Sequence, residues 1–157
     1  MLVRPRTPAD EAAVADLLRR RHSERVARLG RLVRPLDHPG LLAEQDGRLA
    51  GVLTYVIAGD SCEILTVDAT ERWHGAGTAL VAEVERLARQ RGTRRLWVLT
   101  TNDNLDALRF YQRRGFHLAE LHPGAVEETR ARLKPEIPAC GNHGIPIRDE
   151  IVLDKLL

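Results

Sequence analysis

Two groups of residues have the types and spacing to do chemistry. The first is Arg72-Trp73-His74-Gly75-Ala76-Gly77-Thr78, between an apolar segment ending at Val67 and an apolar helical repeat beginning near Ala79. A strand, a glycine-rich turn and a helix start make a cradle for phosphate. The first N–H groups of a helix lack intrahelical acceptors, and the helix dipole adds partial positive charge there. Gly75 and Gly77 have no Cβ, so a ligand can come close to the backbone. Alone, R-x-x-G-x-G is weak and arises by chance in roughly one chain of this length in ten.

The second group is Asn104-x-x-Ala107-x-x-x-Tyr111-x-x-x-Gly115-Phe116. On a helix, positions 104, 107, 108 and 111 share a face. Asn104 then stands at the helix start and Tyr111 two turns on. Two common nucleotide signatures fail beside this pattern. A P-loop needs lysine after its last glycine, but Thr78 follows Gly77. A dinucleotide fingerprint needs a small residue three positions after Gly77, where this chain has Leu80.

Elements must hold these groups in place. Leu2–Arg4 reads as a short strand. Thr7, Pro8 and Asp10 read as N-cap, first position and N3 of a helix carrying Val14, Leu17 and Leu18. A second helix is expected from Ser23 to about Leu32, with Arg25, Arg28 and Arg31 as a solvated face. Leu41–Gln45 and Arg48–Ile57 flank Asp46-Gly47, a type I′ hairpin signal. After a Gly59-Asp60 turn, Cys62–Val67 is a third antiparallel strand. The helix after the cradle carries Leu80, Val84, Leu87 and Ala88 and stops near Gly92. Leu96–Leu99 is apolar throughout, which predicts a strand covered on both faces.

Strand, helix, strand is a right-handed crossover, so these two strands should be parallel. A helix over Asn104–Arg114, a strand over Phe116–Leu121, a short helix near Val126–Leu133 and a strand at Ile151–Leu153 complete the pattern. The expected class is α/β (α+β): a mixed, mostly antiparallel sheet of about six to seven strands, one parallel pair, and helices on both faces.

Bulk properties narrow the function. The chain has 157 residues, which suits one domain spanning 1–157. At 43% hydrophobic and a net charge of +2, it is not disordered by composition. That small charge argues against a nucleic-acid partner. Cys62 and Cys140 make no disulfide framework. No secretory signal or apolar stretch approaching 18 residues is visible, so cytoplasm is expected and a membrane is not. Cys140-x-x-His143 with Cys62 is an incomplete zinc pattern, so no metal is expected.

Leu65-x-Val67, Arg72-x-x-Gly75-x-Gly77 and the Asn104-to-Phe116 pattern occur in one order and spacing. Over roughly residues 41–121 the chain thereby resembles the GNAT superfamily of acyl-CoA-dependent N-acetyltransferases. The resemblance implies the acyl-CoA N-acyltransferase fold and acetyl-CoA as co-substrate. It implies that backbone amides of His74, Gly75, Ala76, Gly77 and Thr78 hold the pyrophosphate. The strand Leu65, Thr66, Val67 would bond the pantetheine arm like an added strand. Tyr111 would give a proton to the CoA sulfur, against a core tyrosine as the alternative. Asn104 would touch the cofactor or simply cap its helix, and Arg72 would reach a phosphate or lie on the surface.

In some members of the superfamily a glutamate at the position of Glu63 activates the amine; here a strand-surface carboxylate is equally open. Glu63, Leu65 and Val67 are expected on one sheet face. Asp68, Glu150 and a water relay compete with Glu63 as base, and a backbone N–H near Leu65 suits the oxyanion. The implied activity is acetyl transfer to a primary amine, of a small molecule or a protein, by direct attack in a ternary complex. Two other readings stay open: a non-catalytic acyl-CoA-binding module, and an RNA- or ribosome-associated protein. The proline-punctuated tail Glu136–Glu150 is expected to border the acceptor site. A homodimer through an exposed final strand is also open.

Overall fold

The computed structural model describes all residues from Met1 to Leu157. The chain forms two compact units. One comprises residues 1–26, 34–96 and 157; the other comprises residues 27–33 and 97–156.

In the first unit, β1 (Leu2–Pro5), β4 (Gly40–Gln45), β5 (Arg48–Ala58) and β6 (Ser61–Ala69) lie in that order, each antiparallel to its neighbour. Asp46 and Gly47 have φ of 53° and 73° between paired Gln45 and Arg48, as a type I′ turn requires. Helix α1 (Glu11–Arg20) follows a single 3-10 turn at Pro8–Asp10. Thr7 and Asp10 close a capping box there, so the N-terminal signal in the sequence is fulfilled. Val14, Leu17 and Leu18 of α1 are buried in one cluster with Leu42 and Val52.

Helix α2 (Ala76–Gln90) buries Ala76, Leu80, Val81, Val84 and Ala88, the stripe that a 3.6-residue period dictates. It packs so closely on β5 that a Cβ on Gly51 would stand 3.2 Å from both Ala76 Cβ and Leu80 Cδ1. Its C-terminus is a Schellman motif. Gly92, at φ 73°, donates to the Arg89 carbonyl at 3.1 Å, and Thr93 donates to the Ala88 carbonyl at 3.0 Å. Strand β7 (Arg95–Thr101) begins in this unit as the neighbour of β6, and the α2 crossover makes the two parallel.

In the second unit the order is β7, β9 (Glu150–Leu156), β8 (His117–His122), with β8 and β9 antiparallel. Helices α3 (Leu105–Arg113) and α4 (Ala125–Arg132) belong to this unit. The apolar run in β7 is not covered on both faces. Leu96, Val98 and Thr100 are buried, while Trp97, Leu99 and Thr101 are half-buried, so the strand has one closed and one partly open side.

The helix expected from Ser23 to Leu32 is instead a hairpin of β2 (Val26–Arg28) and β3 (Arg31–Val33). Arginines at every third position imitate a helical period. Val26-Ala27-Arg28 and Arg31-Leu32-Val33 nevertheless suit extended backbone, and Gly30 supplies a left-handed turn position at φ 77°. Leu29 takes the other left-handed position at φ 47°, which is unfavourable for a residue with a Cβ.

Candidate active site

Strand β6 pairs Thr66 with Thr54 but Ile64 with Tyr55, so Leu65 is an extra residue. This is a β-bulge, and it breaks the two-residue alternation of side chains. Glu63 therefore does not share a face with Val67, as unbroken alternation would require. Thr66 and Asp68 join Glu63 on one face, while Ile64 and Val67 point to the other. The hydroxyls of Thr54 and Thr66 meet at 2.7 Å and fix this register. Glu63 is buried, with only 6% of its surface exposed.

Asp68 lies farther along that face. Its Oδ1 accepts a hydrogen bond of 3.2 Å from the Ser23 hydroxyl, and its Oδ2 is buried without a partner. Burial pushes its carboxyl up to about 6, with Ser23 and Arg21 opposing the shift.

Past β6 the chain enters α2 through a left-handed N-cap, Gly75, at φ 88°. The first intrahelical bond is from Ala79 N–H to the Gly75 carbonyl at 3.0 Å. The amides of Ala76, Gly77 and Thr78 precede that bond and sit at the positive end of a 15-residue helix. No acidic side chain lies in the first turn. Nothing lies within 4 Å of where a Cβ on Gly75 would stand. The expected cradle geometry is present and fits an anion approaching the backbone. His74 Nδ1 lies 2.8 Å from the Arg72 carbonyl and 3.5 Å from a Glu71 oxygen, an exposed loop arrangement. Trp73 is 70% exposed and is itself left-handed at φ 66°.

The second unit carries Asn104 and Tyr111. Asn104 caps α3, accepting a 3.1 Å bond from Ala107 N–H through its side-chain oxygen. Tyr111 is buried between Phe110 and Phe116, with ring centroids 5.0 and 5.2 Å away in edge-on geometry. This packing restrains the phenol.

Glu150 opens β9 and is 3% exposed. Burial raises its pKa, against the Leu29 N–H that donates to it and the electrostatic influence of His122 and Arg28. Its Oε1 is buried without a partner.

The tail at Glu136–Glu150 is stitched down by polar groups that sequence reading passed over. Asp103 accepts from Asn142 N–H at 3.0 Å, and Arg130 donates to the carbonyls of Ile137, Pro138 and Ile147 at 2.9 Å each. Asn102 accepts from the amides of Arg148 and Asp149 and donates to the Pro146 carbonyl. The run Thr101-Asn102-Asp103-Asn104 was their signal, since Asn and Asp at a strand end often serve backbone groups. Cys62 is buried and its thiol is pushed up to about 12, which makes it inert. No group of three or more His, Cys, Asp or Glu residues is arranged to hold a metal ion. No helix is long and apolar enough to cross a membrane.

Comparison with known proteins places this geometry in context. A sequence model described as the acetyltransferase (GNAT) family matches residues 9–116. The Bacillus subtilis (strain 168) protein YdhI is 45% identical over 113 residues, which span 72% of this chain and 70% of that protein. YxbD of the same organism is 43% identical over 122 residues, spanning 78% and 76%. A GNAT family acetyltransferase from Elizabethkingia anophelis, solved with acetyl-CoA bound, superimposes with a TM-score of 0.72 at 17% identity, covering 99% of this chain and 97% of that one.

Proposed function

The chain belongs to the acetyltransferase (GNAT) family, and from that premise we propose that it transfers an acetyl group from acetyl-CoA to a primary amine by direct attack in a ternary complex. The observation that carries this reading is the left-handed Gly75 cap opening α2, with three forward amides and no acidic side chain in the first turn. Acetyl-CoA supplies an activated thioester.

The amides of residues 74–78 hold its pyrophosphate, with Arg72 at the rim. The backbone of Leu65, Thr66 and Val67 holds the pantetheine arm, and Asn104 contributes from the α3 cap. The bulge at Leu65 takes its N–H out of the regular ladder, which suits a donor to the carbonyl oxygen as charge builds there. Glu63 takes a proton from the acceptor ammonium, and the neutral amine attacks. As the C–N bond forms and the C–S bond breaks, Tyr111 gives its phenolic proton to the leaving sulfur, the new amide nitrogen loses its excess proton to solvent, and solvent returns a proton to Tyr111.

The experiment is CoA-thiol release from acetyl-CoA with a panel of primary amines, run beside calorimetric acetyl-CoA binding. Thiol release that depends on an amine is the expected result. Tight binding without release for any amine would favour a binding module instead.

A further inference from the structure

Strand β8 closes one end of the sheet, and no strand pairs with its outer edge. The last strand in sequence, β9, lies inside, between β7 and β8, so it is not the edge that meets another chain. Residues 117–121 of β8 are all exposed. Edges are normally defended by lysine, proline or inward-pointing charge. The six residues His117-Leu118-Ala119-Glu120-Leu121-His122 include no lysine, arginine or proline. Their single carboxylate, Glu120, is paired with His122 at 3.0 Å.

A bulge decides where the two leucines point. Leu118 pairs with Leu153 and Glu120 with Val152, so Ala119 is an extra residue on β8. On an unbroken strand Leu118 and Leu121 would face opposite ways. With the bulge between them they lie against Leu153 and Ile151, two positions apart on β9, and so share one face. Leu153 is fully buried, whereas Leu118 and Leu121 are 59% and 61% exposed. The apolar layer of the sheet thus runs on past β9 and ends uncovered at the edge.

Apart from its two middle residues, the strand has the same order from either end: His-Leu-x-x-Leu-His. A two-fold axis pairs identical strands antiparallel, so that residue i meets j while j meets i. Centred between Ala119 and Glu120, such an axis sets Leu118 against the partner's Leu121 and His117 against the partner's His122, each twice. Both bulges fall at the axis, so the faces stay matched and four leucines gather on one side. On the other side the two Glu120 carboxylates flank the axis. Each has its own His122 and the partner's His117 beside it, so two acids are set among four imidazoles.

We propose that the chain forms a two-fold dimer by pairing β8 with the same strand of a second copy, antiparallel and centred between Ala119 and Glu120. Main-chain hydrogen bonds along the edge hold the copies together, and the leucine cluster fixes the register. The dimer does not depend on the acetyl-transfer reading.

Sedimentation equilibrium of the full chain tests this. The wild type should reach twice the chain mass at micromolar concentration. Leu118→Lys and Leu121→Glu each set a charge against a leucine, and the two-fold repeats it. Each should raise the dimer dissociation constant by about tenfold or more. The double variant, Leu118→Lys with Leu121→Glu, sets lysine against glutamate at both places and should recover most of the loss. A mixture of the two single variants should recover it too, which no register pairing Leu118 with its own copy allows. Both sites are exposed, so far-UV circular dichroism should be alike throughout.

A second readout uses the wild type alone. Amide exchange across residues 117–122 should slow as concentration rises through the dissociation constant. A wild type that stays monomeric up to about 1 mM, a dimer that both single variants keep, a double variant no better than the singles, or exchange that ignores concentration would overturn the proposal.

Discussion

Thr54 and Thr66 join hydroxyl to hydroxyl at 2.7 Å, across β5 and β6, one residue past the bulge at Leu65. The bond is buried, where a lost partner is costly, so it locks the shifted register. Through it Glu63, Thr66 and Asp68 come to one face, and two candidate bases lie on one strand.

Glu63→Gln should remove the base. We expect kcat/KM to fall by about a hundredfold and the rising limb of its pH profile to vanish, the size of effect usual for general-base loss. Asp68→Asn should keep that limb. A limb lost in Asp68→Asn and kept in Glu63→Gln would assign the base to Asp68.

Asp68 should also mark the stability curve. Its carboxyl titrates near 6 in the folded chain, because of burial, against about 4 when unfolded. The folded state thus holds a proton that the unfolded chain releases between those values. Stability should fall as pH rises from about 4 to 6 and level off above, by about 3 kcal/mol. Urea midpoints across pH 4–7 should show this slope in the wild type and a flatter line in Asp68→Asn.

Tyr111→Phe keeps the ring between Phe110 and Phe116 and deletes only the hydroxyl. We expect a normal melting temperature, an unchanged KM for acetyl-CoA and a kcat lower by about 100-fold or more. Undiminished kcat would make Tyr111 a core residue only.

Gly75→Ala meets open space but a forbidden backbone: nothing lies within 4 Å of the new methyl, while φ is 88°. The strain should cost about 1 kcal/mol, and the methyl stands where an anion would approach. Calorimetry should show acetyl-CoA binding weakened about tenfold or more, with a melting temperature lower by only a few degrees.

Gly141→Ala should be worse for stability, although its φ of −112° is ordinary. The new Cβ would overlap the Asp103 carboxylate and stand 2.7 Å from Ile147 Cγ1. We expect a loss of about 2–4 kcal/mol, seen as a melting temperature lower by several degrees, and faster proteolysis within residues 135–149.

The cradle was legible because its parts are consecutive: Arg72 to Thr78 carry their own turn chemistry. The Asp46-Gly47 hairpin, the Thr7 capping box and the Gly92 helix stop are local in the same sense. The Leu65 bulge was not legible, since it exists only in the pairing of β6 with a strand 12 residues away at Thr54–Thr66. The Arg25-to-Arg34 segment misled because a charge every third residue mimics a helix, while the contacts that fix it, to Trp97 and Glu150, are remote in sequence. The tail escaped for the same reason: Asn102 and Asp103 serve backbone groups about 40 residues downstream.

The order β7-β9-β8 has a consequence for how the protein is made. Strand β9 is translated after both strands it separates. Until residues 150–156 emerge, His117–His122 has no partner and Trp97–Thr101 keeps an open edge. A growing chain therefore carries two unpaired edges, the kind that invite strands from other chains. The second unit completes its sheet by inserting a strand between two existing ones, not by adding one at a margin. Closing these non-local pairs carries a loop-closure penalty before any contact repays it. Refolding should thus be limited by the arrival of β9, and aggregation during synthesis should be set by how long those edges wait.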